Sequence, residues 1–169
     1  MDKYINQARE MGAKNVVSFT ISDIVFDPRV ILKCMFGCSD YGLLHSCPYQ
    51  RSPLSMDEYK KVFEHYSIGI IIGCDEKAIS QHISYEIERQ CFLDGYYFAF
   101  SLSDCGLCKD CSKKIDKVCR FPAKARPAFH SVGIDVFKTV RDLGLPIDVL
   151  RDRKEDFSKQ NWYSAVFIE

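Results

Sequence analysis

Hydrophobic positions divide the chain into short segments of clear period. Residues 2–11 place Tyr4, Ile5 and Ala8 on one side before Gly12, the pattern of a short packing helix. Lys14 to Ile21 (KNVVSFTI) is rich in β-branched and aromatic residues and predicts a first strand. Asp27-Pro28 places a capping residue and a proline ahead of a helical turn over Arg29 to Lys33, which delivers Cys34. Ser55 to Glu58 (SMDE) forms a capping box, opening a helix that carries Tyr59, Val62, Phe63 and Tyr66.

The continuous apolar run Ser67 to Gly73 has strand length and reads as a central buried strand, with Cys74 just past its end. Asp75 to Leu93 is the longest helix, with Ile79, Ile83, Ile87 and Cys91 as one apolar stripe and His82 one step off it. Tyr96 to Leu102 predicts a strand, residues 131–143 a helix ended by Gly144 and Pro146, and Ile147 to Leu150 and Trp162 to Ile168 two closing strands. Arg151 to Asn161 reads as a polar surface connection. Strands interleaved with helices predict an α/β fold, with α+β as its alternative: a mixed sheet, packed helices and two cysteine-rich loops on the rim, 34–48 and 104–122, in a single domain over 1–169.

Composition changes this picture in one respect. Of 169 residues, 47% are hydrophobic and 13% aromatic, as in an ordinary globule, but nine are Cys. Lys plus Arg equals Asp plus Glu at 23 each, which removes the electrostatic footprint of a nucleic-acid binder. No apolar run approaches the roughly 20 residues that span a bilayer. The charged start MDKYINQARE lacks an apolar signal region, so a cytoplasmic location with reduced thiols is expected rather than a disulfide framework.

The thiols fall into two groups. Cys105, Cys108, Cys111 and Cys119 form a C-x2-C-x2-C-x7-C run closed by Pro122, and so short a loop can turn its thiolates onto one compact [4Fe–4S] cube. Zinc is the competitor, although its sites prefer two separated Cys pairs. Cys34, Cys38 and Cys47 form a second group, C-x3-C-x8-C, followed by Pro48, with Gly37 and Gly42 available to wrap the backbone around a ligand. Two cubes need eight thiolates and the two groups supply seven. Cys74 is the candidate eighth ligand and His45 the other group able to complete the first site. Cys91 belongs to the core. Lys124, Arg126 and Arg120 gather positive charge near Cys119, either as a solvated turn or to offset an anionic cluster and meet an acidic partner.

With both groups placed, the chain resembles a domain-of-unknown-function family of predicted metal-binding proteins found mostly in anaerobic prokaryotes. The resemblance rests on Cys34, Cys38, Tyr41-Gly42 and Cys47-Pro48, then Cys105, Cys108, Cys111, Cys119-Arg120 and Pro122, and on Ala125-Arg126-Pro127 and Gly133-Ile134-Asp135-Val136. Tyr49 and Phe129-His130 depart from its pattern. It implies metal binding and no particular reaction. No G-x-S-x-G, phosphate loop or Rossmann fingerprint is present. Three classes follow: a ferredoxin-like electron carrier working with a redox partner protein, an enzyme using an open cluster site, and a zinc-stabilised interaction module. One or two [4Fe–4S] clusters are the expected cofactor, with zinc as the alternative.

Overall fold

The apolar run organises the fold as its central strand. The computed structural model describes residues 1–47, 54–148 and 160–169, and in it β2 (Ile68–Cys74) lies between β1 (Asn15–Thr20) and β4 (Trp162–Phe167). β3 (Phe100–Ser103) pairs with the far side of β4, giving the order β1-β2-β4-β3. All three pairings are antiparallel, with Ile70 opposite Ser18 and Val166. The α+β form of the expected class is therefore the one adopted, and the sheet is antiparallel where a mixed one was expected.

The reason is visible in β2. A strand covered by helices on both faces loses its polar alternation whatever the direction of its neighbours. Ile70, Ile72 and Cys74 face a core shared with α1 (Asp2–Glu10) and α4 (Lys77–Leu93). Ile71 faces the other core, closed by Phe63 of α3 (Met56–Phe63), the 3-10 turn Phe129–Val132 and Val140 of α6 (Val136–Asp142). Gly69 is required on this second side, because a Cβ there would run into the Phe19 ring and the Val166 carbonyl.

Local signals hold where local chemistry decides. Tyr4 and Ala8 are buried on α1, and the Ser55 box forms: Ser55 Oγ accepts from the Glu58 N–H, and Glu58 Oε2 accepts from the Ser55 N–H at 2.8 Å. Tertiary context overrides others. The helical turn before Cys34 extends through it as α2 (Val30–Gly37). The strand expected from Tyr96 starts only at Phe100, because its partner β4 ends at Phe167, directly opposite Phe100. Tyr97 and Phe98 are left 73% and 79% exposed in the preceding turn. The helix expected over 131–143 is broken by Gly133 at φ 87°, and α6 restarts behind Asp135, whose Oδ1 accepts from the Lys138 N–H at 3.0 Å. Ile147 and Asp148 are irregular instead of a strand; residues 149–150, and 151–159 of the expected surface connection, lie outside the described residues, as do Pro48 and Tyr49.

On α4 the stripe is realised as Ile83, Ile87 and Cys91, all fully buried, while Ile79 is 39% exposed. Its place in the first turns is taken by the buried polar residues Ser80, Gln81 and Ser84. Ser80 Oγ bonds Ser164 Oγ of β4 at 2.8 Å, and Gln81 faces the cysteine loop that follows β3. That polar patch joins the sheet to the site.

Candidate metal centre

Cys34 and Cys38 stand one turn apart at the end of α2, so their side chains share a face. The chain then turns through Gly42 at φ 71°, and the Gly42 N–H donates to Cys47 Sγ at 3.3 Å. Gly42 thus wraps the loop as expected, whereas Gly37 ends α2 without a positive φ. Burial pushes the Cys34 thiol up to about 11, and Cys38, Cys47 and then Asp104 add to it, so these groups share one electrostatic neighbourhood.

The second group starts two residues beyond the end of β3. Gly106 lies flat against the first turn of α4, where a Cβ would come within 2.8 Å of the Ala78 backbone. The loop runs to Cys111, which precedes the short helix α5 (Ser112–Asp116). Lys117 then adopts φ 60°, and the returning strand of the loop is held by the buried Ser112 hydroxyl, which accepts from the Arg120 N–H at 3.1 Å. Cys119 is thereby brought back over the other three thiols.

A cavity of about 140 Å³ is the result. Cys105, Cys108, Cys111 and Cys119 all line it, together with Lys77, Lys109 and Lys114. Asp40, Leu44 and His45 of the first cysteine loop supply another part of the wall. An ion pair between Lys114 and Asp40 ties α5 to that loop, and Asp40, Cys111 and Cys38 together hold the Lys114 ammonium above its ordinary range. The two cysteine loops, far apart in the chain, meet around one chamber, which Cys105, Cys108, Cys111 and Cys119 line and Cys34, Cys38 and Cys47 do not.

The model of a family of predicted metal-binding proteins, DUF2284, matches residues 18–168. The chain belongs to this family. No curated protein and no solved structure matches it. Among the described residues, no three Cys, His, Asp or Glu side chains stand close enough together to grip a single metal ion. The thiols line the walls of the chamber instead. The donor set nonetheless fits a soft metal: thiolates suit zinc or iron–sulfur centres, and the surrounding lysines and the N-terminal end of α4 favour their negative charge.

The remaining candidates separate. Cys74 is the last residue of β2 rather than a loop residue beyond it. It is 1% exposed among Tyr4, Ile83 and Ile87, and it does not line the chamber of Cys105, Cys108, Cys111 and Cys119. Cys91 is in the same core, and burial pushes both thiols up to about 11. His45 lines the cysteine cavity and also an apolar cavity of about 270 Å³ walled by Tyr59, Phe63, Tyr66 and Phe100. His82 is exposed.

Of the basic cluster, Arg126 has a role that neither expectation covered. It forks onto Glu88 of α4, Nε to Oε2 at 2.9 Å and Nη2 to Oε1 at 2.5 Å, and clamps the exit of the cysteine loop to the sheet. Lys124 lies over the Tyr85 ring at 5.4 Å, and Arg120 is exposed. Sequence reasoning missed Gln81, Glu88, Asp40 and Lys77. The one available signal was the polar set Ser80, Gln81 and Ser84 at the head of an otherwise apolar stripe.

Proposed function

We propose that this protein holds a [4Fe–4S] cluster on Cys105, Cys108, Cys111 and Cys119 and works in electron transfer, as a ferredoxin-like carrier or redox subunit. The observation that carries this reading is the single chamber lined by all four thiols of the C-x2-C-x2-C-x7-C run. One zinc ion would draw four thiolates to about 3.8 Å from one another, from its tetrahedral geometry and a Zn–S distance near 2.3 Å. A cube spreads its four ligands over four different irons, and thiols set along the walls of a chamber suit that wider spacing. Such a cluster, fully ligated by thiolates, exchanges single electrons with a partner protein.

The protein residues have separate tasks in this reading. The four thiolates hold the cluster, Lys77, Lys109 and Lys114 offset its charge, and Gly106 lets the loop lie against α4. Cys34, Cys38 and Cys47 form a second site beside it. The cysteine loop and α5 expose Ile115 and Val118 on the same short segment as exposed Lys109 and Lys117, a surface suited to an acidic redox partner. All nine cysteines are free, and among the described residues no helix is long and apolar enough to cross a membrane, which accords with work in a reducing cytoplasm.

A second reading is an enzyme whose open site is the three-thiol group. Its support is the apolar cavity that reaches the thiol chamber at His45 and is walled by Tyr59, whose hydroxyl is raised by burial and then by Cys47. Anaerobic purification with iron, sulfide and zinc analysis tests both. About four irons with matching sulfide support one cube and about eight support two. Colourless protein holding one or two zinc ions and no sulfide overturns the cluster and leaves a zinc-stabilised module. A spectral change at one iron on adding small thiols or other apolar-tailed ligands favours the enzyme.

A further inference from the structure

Gln81 is a buried polar side chain that the fold satisfies at only one end. It is 1% exposed on the first turns of α4, where an amide must bond at both ends to offset its desolvation. Its Oε1 accepts from the Gly106 N–H at 2.5 Å. Its Nε2 has no hydrogen-bond partner among the described residues.

The orientation of that amide is determined by its neighbour. Gly106 offers an N–H and needs an acceptor, so a flipped Gln81 would set two donors against each other. Gly106 itself is pinned, because its backbone lies in contact with Ala78 one helical turn position away from Gln81. The NH2 group therefore stays with the segment that carries Cys105, the residue next to Gly106. A neutral thiol is a weak acceptor, whereas a metal-bound thiolate sulfur accepts N–H bonds readily.

We propose that Gln81 is a positioning residue of the metal centre: its Nε2 donates an N–H···S hydrogen bond to Cys105 Sγ in the loaded protein, while its Oε1 holds Gly106 and the loop. This rests on the cluster reading above. The bond draws charge from the sulfur and so favours the more negative, reduced state, which raises the reduction potential. α4 then carries the electrostatic tuning of the centre as well as its mechanical support.

The test compares the anaerobically purified full chain with its Q81M variant, which keeps side-chain length but has no amide donor. Iron and sulfide per chain are measured first, then the reduction potential of the loaded protein. The expected result is a more negative potential in Q81M, which loss of packing alone would not produce in a protein that still holds its cluster. A parental potential in loaded Q81M overturns the role of Gln81 and leaves the cluster reading standing. A parent with neither iron nor sulfide overturns both. If Q81M does not take up iron, the parent labelled with ¹⁵N at glutamine side chains decides: a weak ¹⁵N coupling to the reduced cluster is expected, and its absence overturns the bond.

Discussion

Replacing Arg126 with Met should unfold the protein at a distinctly lower temperature. The guanidinium and the Glu88 carboxylate are 14% and 12% exposed, and two parallel hydrogen bonds join them. Glu88 Oε2 also accepts from the Ser101 N–H at 2.8 Å and from its hydroxyl at 2.5 Å, so the carboxylate binds α4 to β3 as well. Arg126 Nη1 donates to the Ala123 carbonyl at 2.9 Å, and the guanidinium lies 5.3 Å from the Tyr85 ring and 5.5 Å from that of Phe100. Met keeps the stem but removes the guanidinium from over both rings and leaves a largely buried carboxylate without its cation. Breaking such a pair costs about 3–5 kcal/mol. The Ser101 bonds and the residual exposure place this case at the low end, about 3 kcal/mol, and with roughly 2–4 °C per kcal/mol for a chain of this size the midpoint should fall by about 6–12 °C. Circular dichroism of the metal-free protein at pH 7 measures it. A double-mutant cycle with Glu88→Gln should show a coupling of about 1.5–3 kcal/mol. A fall below about 2 °C, or strictly additive single effects, would refute the clamp and make the pair an ordinary surface contact worth about 0–1 kcal/mol.

Three further outcomes are expected. Cys108→Ser should lose one cluster, seen as about four fewer irons per chain, and full iron retention would remove Cys108 from the ligand set. Cys74→Ala should keep parental iron and cluster spectra and lose about 0.5–1.5 kcal/mol of stability, the cost of deleting one buried heavy atom; loss of iron would return Cys74 to the first site. The metal-free protein should weaken at alkaline pH: Cys74 and Cys91 rise from the ordinary thiol value of 9.0 to about 11, so stability that is complete below pH 9 is lost as pH climbs toward 11. Melting temperature against pH checks this, and a Cys74→Ala/Cys91→Ala variant with an unchanged slope would show that the two thiols are not responsible.

What the sequence determined by itself was the local content. The Ser55 box, the β2 run, the α4 stripe and the spacing of both cysteine groups are legible because capping, apolar period and ligand steps each act within a few residues. The family followed from the order of those same motifs, and metal binding with it. Tertiary structure decided how the pieces met. Phe100 begins β3 because β4 ends opposite it, Cys74 is in the core because its position on β2 faces α4, and the sheet is antiparallel because β4 inserts between β2 and β3 and runs opposite to both, as β1 does to β2. The chamber is tertiary too: Asp40 and His45 join Cys105 and Cys119 only when α5 docks on the first loop through Lys114. Gln81, Glu88 and Arg126 take their roles from that docking, since a polar side chain acquires a partner from whatever the fold sets against it, and spacing along the chain carries no record of that.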